Sequence, residues 1–148
     1  MGNMTKPRVV LDTNVLVAGL SSRSGASYQL LLRYRNNEFS IMASIPLWLE
    51  YEAVLKRDEI RRMHGLSPKK VDTFLSNLAL FCTPVTLHYL WRPQLSDPND
   101  EMVLETALNG QADALVTFNI ADFELATKRF AVNLIQPRTF LKKLKENE

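Results

Sequence analysis

Cysteine, histidine and glycine are scarce in this chain of 148 residues, which has one Cys, two His and five Gly. A single cysteine cannot form an internal disulfide, and no Cys/His cluster resembles a zinc site. The glycines form no Gly-rich phosphate loop, which argues against a P-loop or dinucleotide-binding fold. His64 and His88 have no nucleophile at a recognisable spacing, and no nucleophile-elbow motif is present. Chemistry based on zinc, Gly-rich loops or Ser/His pairs is therefore not indicated.

Long apolar runs and a strong net charge are also absent. The segment from Met1 to Pro7 has no apolar signal core, and no later run approaches the roughly 20 residues of a membrane span. Lys and Arg number 18 against 16 Asp and Glu, so electrostatics alone leaves the partner open. The chain is 46% hydrophobic and 23% charged, as in ordinary globular proteins. We expect one soluble, cytoplasmic domain over residues 1–148 that does not associate with a membrane.

Short apolar runs alternate with helical patterns along the chain. Strands are predicted at residues 8–11, 40–43, 82–87, 114–117 and 132–135. Helices are predicted at residues 15–20, 28–35, 46–55, 68–79, 98–108 and 138–145, with a short segment beginning at Ile120 and Gly110 ending the fifth helix. Alternation without long linkers predicts an α/β domain with a mainly parallel sheet of about five strands.

Asp12 directly follows the first predicted strand, Arg8-Val9-Val10-Leu11. A buried strand of a parallel sheet that ends in an acid delivers a carboxylate to the rim of the sheet. In open α/β sheets, ligands gather outside the carboxyl ends of the strands, at the point where strand order reverses. Asp12 is therefore the first candidate for a site, and other acids are judged by whether they reach the same rim.

Glu50 lies within the apolar stripe of the helix that begins at Pro46 and is capped by Ser44, whereas Glu52 lies nearer the edge of that stripe. Glu50 is therefore the better candidate for a site. The alternative is a carboxylate at the margin of the stripe that only extends into solvent.

Asp97-Pro98 is a typical helix N-terminus, with Asp97 as N-cap and Pro at the first helical position. Asp100 differs, because Val103 and Leu104, three and four residues on, predict that it faces the core. An acid held there is unfavourable unless it is paired or binds a metal. We predict a functional Asp100, supported by Asp97.

Thr117, Asn119 and Asp122 follow the fourth predicted strand at its carboxyl end, on the rim that carries Asp12. Asp122 fits a catalytic acid and a helix cap equally well. Asp113 precedes the same strand and is interpreted as structural, at the opposite edge. Three pairs of basic residues fit a solvated helix face, or alternatively a contact with a phosphate backbone beside an acidic site: Lys56-Arg57, Arg61-Arg62 and Lys69-Lys70.

Four carboxylates are thus predicted at one rim without a histidine or thiol: Asp12, Glu50, Asp100 and Asp122. Such a cluster repels itself, and hard divalent cations such as Mg²⁺ or Mn²⁺ relieve the repulsion through oxygen ligands. A metal held in this way can activate water against a phosphodiester and stabilise the leaving oxygen. The pattern predicts metal-dependent phosphodiester hydrolysis.

The ordered set of these motifs resembles PIN domains, and in particular the toxin components of bacterial and archaeal toxin–antitoxin pairs. The segments that carry the resemblance run from Arg8 to about Phe140, and they are VVLDTN at 9–14, LEYE at 49–52, DPNDE at 97–101 and TFNIADF at 117–123. The resemblance implies a three-layer α/β/α fold with its core at about 8–140. It also implies Mg²⁺- or Mn²⁺-dependent endoribonuclease activity on RNA, homodimers and inhibition by a cognate antitoxin.

By this resemblance Asp12 is the central metal ligand, supported by Asn14, and Glu50, Asp100 and Asp122 complete the acidic set. Thr117, Asn119 and Asp97 are supporting residues. One position departs from the family pattern, because many PIN domains have an acid where this chain has Asn119. The fourth ligand therefore depends on Asp122.

Two alternatives remain open. The first is a catalytically weak or inactive PIN-fold module that binds RNA or a partner protein. The second is a phosphatase of the haloacid dehalogenase type, which also places Asp after its first strand. That class expects a second Asp two residues on, where this chain has Asn14, so the phosphatase is disfavoured.

Overall fold

The computed structural model describes residues 6–88, 95 and 97–147. The strands in these ranges are β1 (Arg8–Leu11), β2 (Ser40–Ala43), β3 (Thr83–Pro84), β4 (Ala114–Val116) and β5 (Leu134–Ile135). The helices are α1 (Thr13–Ser21), α2 (Ala26–Arg35), α3 (Ile45–Leu55), α4 (Asp58–His64), α5 (Pro68–Ala79), α6 (Pro98–Gly110), α7 (Ile120–Phe130) and α8 (Pro137–Glu146). No helix in the described ranges is long and apolar enough to cross a membrane.

The five strands form one parallel sheet in the order β3-β2-β1-β4-β5. The chain moves outward from β1 through β2 to β3, then returns to β4 on the other side of β1. Strand order therefore reverses between β1 and β4, where Val10 lies opposite Leu115. This is the position at which open α/β sheets bind ligands.

Helices cover both faces of the sheet, which gives the predicted three-layer α/β/α architecture. Helix α6 packs against β1, β2 and β4. Helix α1 packs against α2, α3 and α4, and α2 also contacts α8. Connections between parallel strands are almost always right-handed. Because the chain runs in one direction along the sheet from β1 to β3 and in the other direction from β3 to β5, the helices of the two halves lie on opposite faces.

The central strands are fully buried, as their continuous apolar sequences predict. Val9, Val10 and Leu11 of β1 have no exposed surface. Two aromatic rings pack against each other where α2 and α8 meet: the ring of Phe39 lies 5.1 Å from that of Phe140, edge to face. The carboxyl end of β1 thus lies within the buried core.

Two predicted strands are shorter than expected. The third, predicted at 82–87, is Thr83–Pro84, because Pro84 has no backbone N–H for the ladder and is accommodated only on an edge strand. The fifth, predicted at 132–135, is Leu134–Ile135. Val132 instead donates its N–H to the Thr127 carbonyl at 3.0 Å, which completes the end of α7 after Ala131 adopts a left-handed conformation with φ of 58°.

The helices differ from the prediction in two places. The segment from Ile120 is an eleven-residue helix, α7, and not a short segment. Helix α4 has no counterpart in the prediction; it is followed by Gly65, which has φ of 74°. Helix α6 ends at Gly110, as predicted, and the left-handed residue that follows it is Gln111, with φ of 51°. Met42 packs closely against Gly110, since a Cβ at this position would lie 2.8 Å from the Met42 Cε.

Candidate active site

Asp12 is fixed at the rim between β1 and β4 by hydrogen bonds to three residues. Its backbone N–H donates to the Val116 carbonyl at 2.9 Å. One carboxylate oxygen accepts the Thr13 N–H at 2.8 Å, so Asp12 caps α1. The other oxygen accepts the hydroxyl of Thr117 at 2.7 Å. A carboxylate has about four lone-pair sites, so both oxygens retain capacity for a further ligand.

The environment of Asp12 contains opposing electrostatic influences. Only 6% of the residue is exposed, and this burial is the largest effect, raising the pKa of Asp12. The hydrogen bonds from Thr117 and Thr13 act in the opposite direction, while the charges of Asp122 and Asp97 raise the pKa further. The net direction is upward, which means that the folded protein disfavours the anion when no cation is nearby.

Glu50 is buried on α3, whereas Glu52 is partly exposed and pairs with Lys56 at 3.1 Å. The residue after Glu50 on α3 is Tyr51, whose buried hydroxyl donates to the Leu11 carbonyl. This contact ties α3 to the last residue of β1. The predicted difference between the two glutamates is confirmed by their burial.

Burial also raises the pKa of Glu50. The positive charge of Arg57 lowers it, and the negative charges of Asp97 and Asp12 raise it. Glu50 therefore lies within electrostatic range of the acids that follow β1 and that begin α6. The Glu50 carboxylate is also close enough to Arg57 for that positive charge to affect its pKa.

Helix α6 brings two further acids to this rim. Asp97 is its N-cap and accepts the Asn99 N–H at 2.9 Å, as predicted. Asp100 is half-buried in the first turn, and its pKa is raised to about 6, mainly by burial and then by the charges of Asp12, Asp97 and Asp122. The charges of Asp12, Asp97 and Asp122 thus act on Asp100, so the fold brings these carboxylates within electrostatic range of it.

Asp122 is exposed in the first turn of α7, and the N-cap position belongs to Asn119. Of the two alternatives for Asp122, the helix cap is therefore wrong. Asn119 donates its backbone N–H to the Thr117 hydroxyl at 2.9 Å, and Asp122 donates its own to the Asn119 carbonyl at 3.1 Å. Asp122 reaches the site electrostatically, since its charge raises the pKa of Asp12.

The family model described as PIN domain matches residues 8–121. This chain belongs to the PIN domain family. The matched range includes Asp12, Glu50 and Asp100 and ends just before Asp122, so the fourth acid lies outside the range that defines the family membership of this PIN domain.

The fold of this PIN domain is similar to a solved structure described as VapBC2 from Rickettsia felis bound to a DNA fragment from their promoter. The two chains share 17% identity with a TM-score of 0.56, over 87% of this chain and 98% of that one. At this identity the similarity shows the fold and does not by itself show a function. No curated protein matches this chain in sequence.

The side chains at the rim of this PIN domain have the donor chemistry for a hard cation. All are oxygen donors, and an additional one is the side-chain oxygen of Asn14, which is buried without a hydrogen-bond partner among the described residues. Within those same residues, no three acids, histidines or cysteines lie close enough to hold a metal as a group. The acids therefore lie around Asp12, but no three of those described are close enough together to bind one ion.

Two features of this PIN domain were not recognised from the sequence. Tyr51 is not singled out in the sequence analysis, although its hydroxyl joins α3 to the end of β1. Glu101 has no role in the sequence analysis, yet it is 4% exposed and accepts the Leu95 N–H at 2.7 Å. Its neighbours three and four residues on are Leu104 and Glu105, one apolar and one charged, so helical spacing does not indicate which way it faces.

Proposed function

We propose that this PIN domain is a metal-dependent endoribonuclease that hydrolyses RNA phosphodiester bonds with Mg²⁺ or Mn²⁺. The observation that carries the proposal is that burial, together with the charge of Asp12, raises the pKa of both Glu50 and Asp100 at the point where strand order reverses. Burying like charges together is unfavourable unless a cation offsets them. The raised pKa values therefore support a site arranged for a bound cation.

In this proposal Asp12 is the central metal ligand, and Glu50, Asp100 and Asp122 are the other acidic ligands and catalytic residues. The bound ion supplies activation of water and stabilisation of the leaving oxygen. Asn14, Thr117, Asn119 and Asp97 are supporting residues.

The supporting groups act on the position of Asp12 and its neighbours. Thr117 holds one carboxylate oxygen of Asp12 through its hydroxyl, and Asn119 holds that hydroxyl through its backbone N–H. Asp97 fixes the start of α6 and with it Asp100. These hydrogen bonds thus keep the carboxylates oriented before substrate arrives, which lowers the reorganisation needed in the reaction.

The same proposal assigns the chain as the toxin of a toxin–antitoxin pair in the cytoplasm, with RNA as substrate, a cognate antitoxin as partner and a homodimer as the working form. The PIN family membership supports this, and so does the similar structure, whose description names a VapBC2 complex on promoter DNA.

A second candidate is a catalytically weak or inactive PIN-fold module that binds RNA or a partner protein. It is favoured by one observation, that no three acids in the described part of the chain approach closely enough to hold an ion together. The two candidates differ in whether the acids are needed for a reaction.

Cleavage of single-stranded RNA in Mn²⁺ by the wild-type protein and by Asp12→Asn separates these candidates. We expect Asp12→Asn to reduce the rate by at least about a hundredfold, because even outer-shell partners of a metal contribute roughly 10- to 100-fold. Glu50→Gln should lose a similar factor, whereas Glu52→Gln, two residues away on α3, should retain the wild-type rate. Equal rates in the wild type and Asp12→Asn would exclude the nuclease assignment.

A further inference from the structure

A cavity of about 390 Å³ adjoins the acidic rim and has no part in the proposed reaction. Phe118 lines it, and Phe118 directly follows Thr117, which holds Asp12. Ala18 of α1 also lines it, six residues after the Asp12 cap and hence about 9 Å along the axis of α1. A nucleic-acid strand that binds at the rim and extends along α1 would reach this cavity.

Two helices begin at the cavity. Gly25, the N-cap of α2, and Pro137, the first residue of α8, both line it. Neither helix has a side-chain hydrogen bond at its N-cap, and each is ten residues long. The first N–H groups of a helix have no acceptor within the helix, and the positive end of its dipole attracts anions. Both ends therefore favour a negatively charged ligand.

Ser27 gives independent evidence for a ligand. It lines the same cavity and is 2% exposed, yet its hydroxyl has no hydrogen-bond partner among the residues that the structure describes. A buried hydroxyl without a partner typically costs about 1–3 kcal/mol. A ligand oxygen in the cavity would satisfy it.

The mouth of the cavity has the two groups that recognise a nucleotide. Arg138 is exposed and lines the cavity at the start of α8, where its guanidinium suits a phosphate. The Phe118 ring is 45% exposed, and exposed aromatic rings beside a cationic groove stack nucleobases.

We propose that this cavity binds one phosphate group of the RNA strand, held by the N-termini of α2 and α8, Ser27 and Arg138, with the adjacent base stacked on Phe118. The assignment of the strand as RNA rests on the proposed function. The subsite positions the strand next to the acidic rim, and it takes no part in bond cleavage itself.

Amide chemical shifts of the ¹⁵N-labelled full chain test this subsite directly. EDTA keeps RNA intact during separate titrations with inorganic phosphate, uridine monophosphate and a single-stranded RNA of about ten nucleotides. We expect the RNA to shift the amides of Ser27, Arg138 and Thr139 at both helix N-termini. RNA-induced shifts confined to other parts of the chain, or shifts at these amides with inorganic phosphate and not with RNA, would overturn the proposal.

Matched variants test the same contacts by fluorescence anisotropy with labelled RNA. Arg138→Gln and Ser27→Ala should each weaken binding about tenfold, as expected for hydrogen bonds to a charged group. Lys142→Gln removes the same charge from an exposed position one turn further along α8, away from the cavity, and should change binding less than about twofold. Equal effects of Arg138→Gln and Lys142→Gln would overturn the subsite.

The two proposals fail in different ways. A wild-type protein that shows these shifts but cleaves no RNA in Mn²⁺ retains the subsite and loses the nuclease assignment. A protein that cleaves RNA, while neither Arg138→Gln nor Ser27→Ala alters RNA binding, retains the nuclease assignment and loses the subsite.

Discussion

Burial and neighbouring charge act in the same direction on Asp100, whose pKa is raised to about 6. Because an unfolded Asp titrates near 3.9, the folded protein binds more protons than the unfolded chain between about pH 4 and 6. The free energy of unfolding of the metal-free protein should therefore fall as the pH rises through this window and stay low above it.

Asp100→Asn should remove this loss of stability. We expect the variant to be more stable than the wild type by about 1 kcal/mol at pH 7, since solvent screens part of the repulsion at a half-buried side chain. At pH 4 the two proteins should be equally stable. Urea unfolding midpoints between pH 4 and 8 measure the difference.

Asp58→Asn is the control for this prediction. Asp58 is exposed on α4, with Arg61 as an ion-pair partner at 3.8 Å, and its removal should not stabilise the protein at neutral pH. Parallel pH profiles for the wild type and Asp100→Asn would contradict the proposed repulsion at the rim.

At the scale of elements, helix α3 and strand β1 are joined by the bond from the Tyr51 hydroxyl to the Leu11 carbonyl. Tyr51→Phe removes this bond and leaves a buried acceptor without it. We expect a loss of about 1–2 kcal/mol in unfolding free energy. Since Glu50 is the preceding residue on α3, the variant should also cleave RNA more slowly and need more Mn²⁺ for half-maximal rate.

Tyr34→Phe provides a matched control. The Tyr34 hydroxyl is buried too and donates to the Leu78 carbonyl at 2.8 Å, but this bond joins α2 to α5 and no candidate site residue is adjacent. Its removal should cost a similar amount of stability without affecting cleavage. If the two variants lose equal activity, Tyr51 acts through general stability and does not position Glu50.

Elements with strong periodic patterns were predicted well from the sequence. The buried strand ending at Leu11 and the Ser44 cap, which accepts the Leu47 N–H at 3.3 Å, are both present. The length of the fifth strand was not predictable, because Val132 is a good strand residue whose N–H is used by the end of α7. The left-handed Gln111 was missed because tertiary packing, with Met42 against Gly110, overrides local preference there.

The candidate site was predictable in its membership more than in its geometry. Strand polarity and helix spacing selected Asp12, Glu50 and Asp100, and the charge of Asp12 acts on both of the other acids. The bond between Thr117 and Asp12 depends on β1 and β4 being neighbours, although the two residues are 105 positions apart. No local sequence pattern indicates that these two residues are close in space. The role of Thr117 in holding the carboxylate therefore became clear only from the order of the strands.

For the whole molecule, the sheet order is the feature that links stability to the proposed metal binding. Residues from α3, α6 and α7 meet at one rim only when the chain has returned from β3 to β4. An unfolded chain cannot present these carboxylates together. A cation that binds them should therefore stabilise the folded state and leave the unfolded state almost unaffected.

We expect Mn²⁺ at about one hundred times its Kd to stabilise the wild-type protein by about 2.7 kcal/mol, which corresponds to a rise in Tm of roughly 5–10 °C for a chain of this size. EDTA should reverse the rise. Asp12→Asn should show little of it, because its neutral amide removes the central charge, whereas Glu52→Gln should respond like the wild type. Calorimetric scans of these three proteins at pH 7, with and without Mn²⁺, measure the shift. An equal rise in Asp12→Asn would show that the ion binds away from the rim, and no rise in the wild type would favour the inactive PIN-fold module.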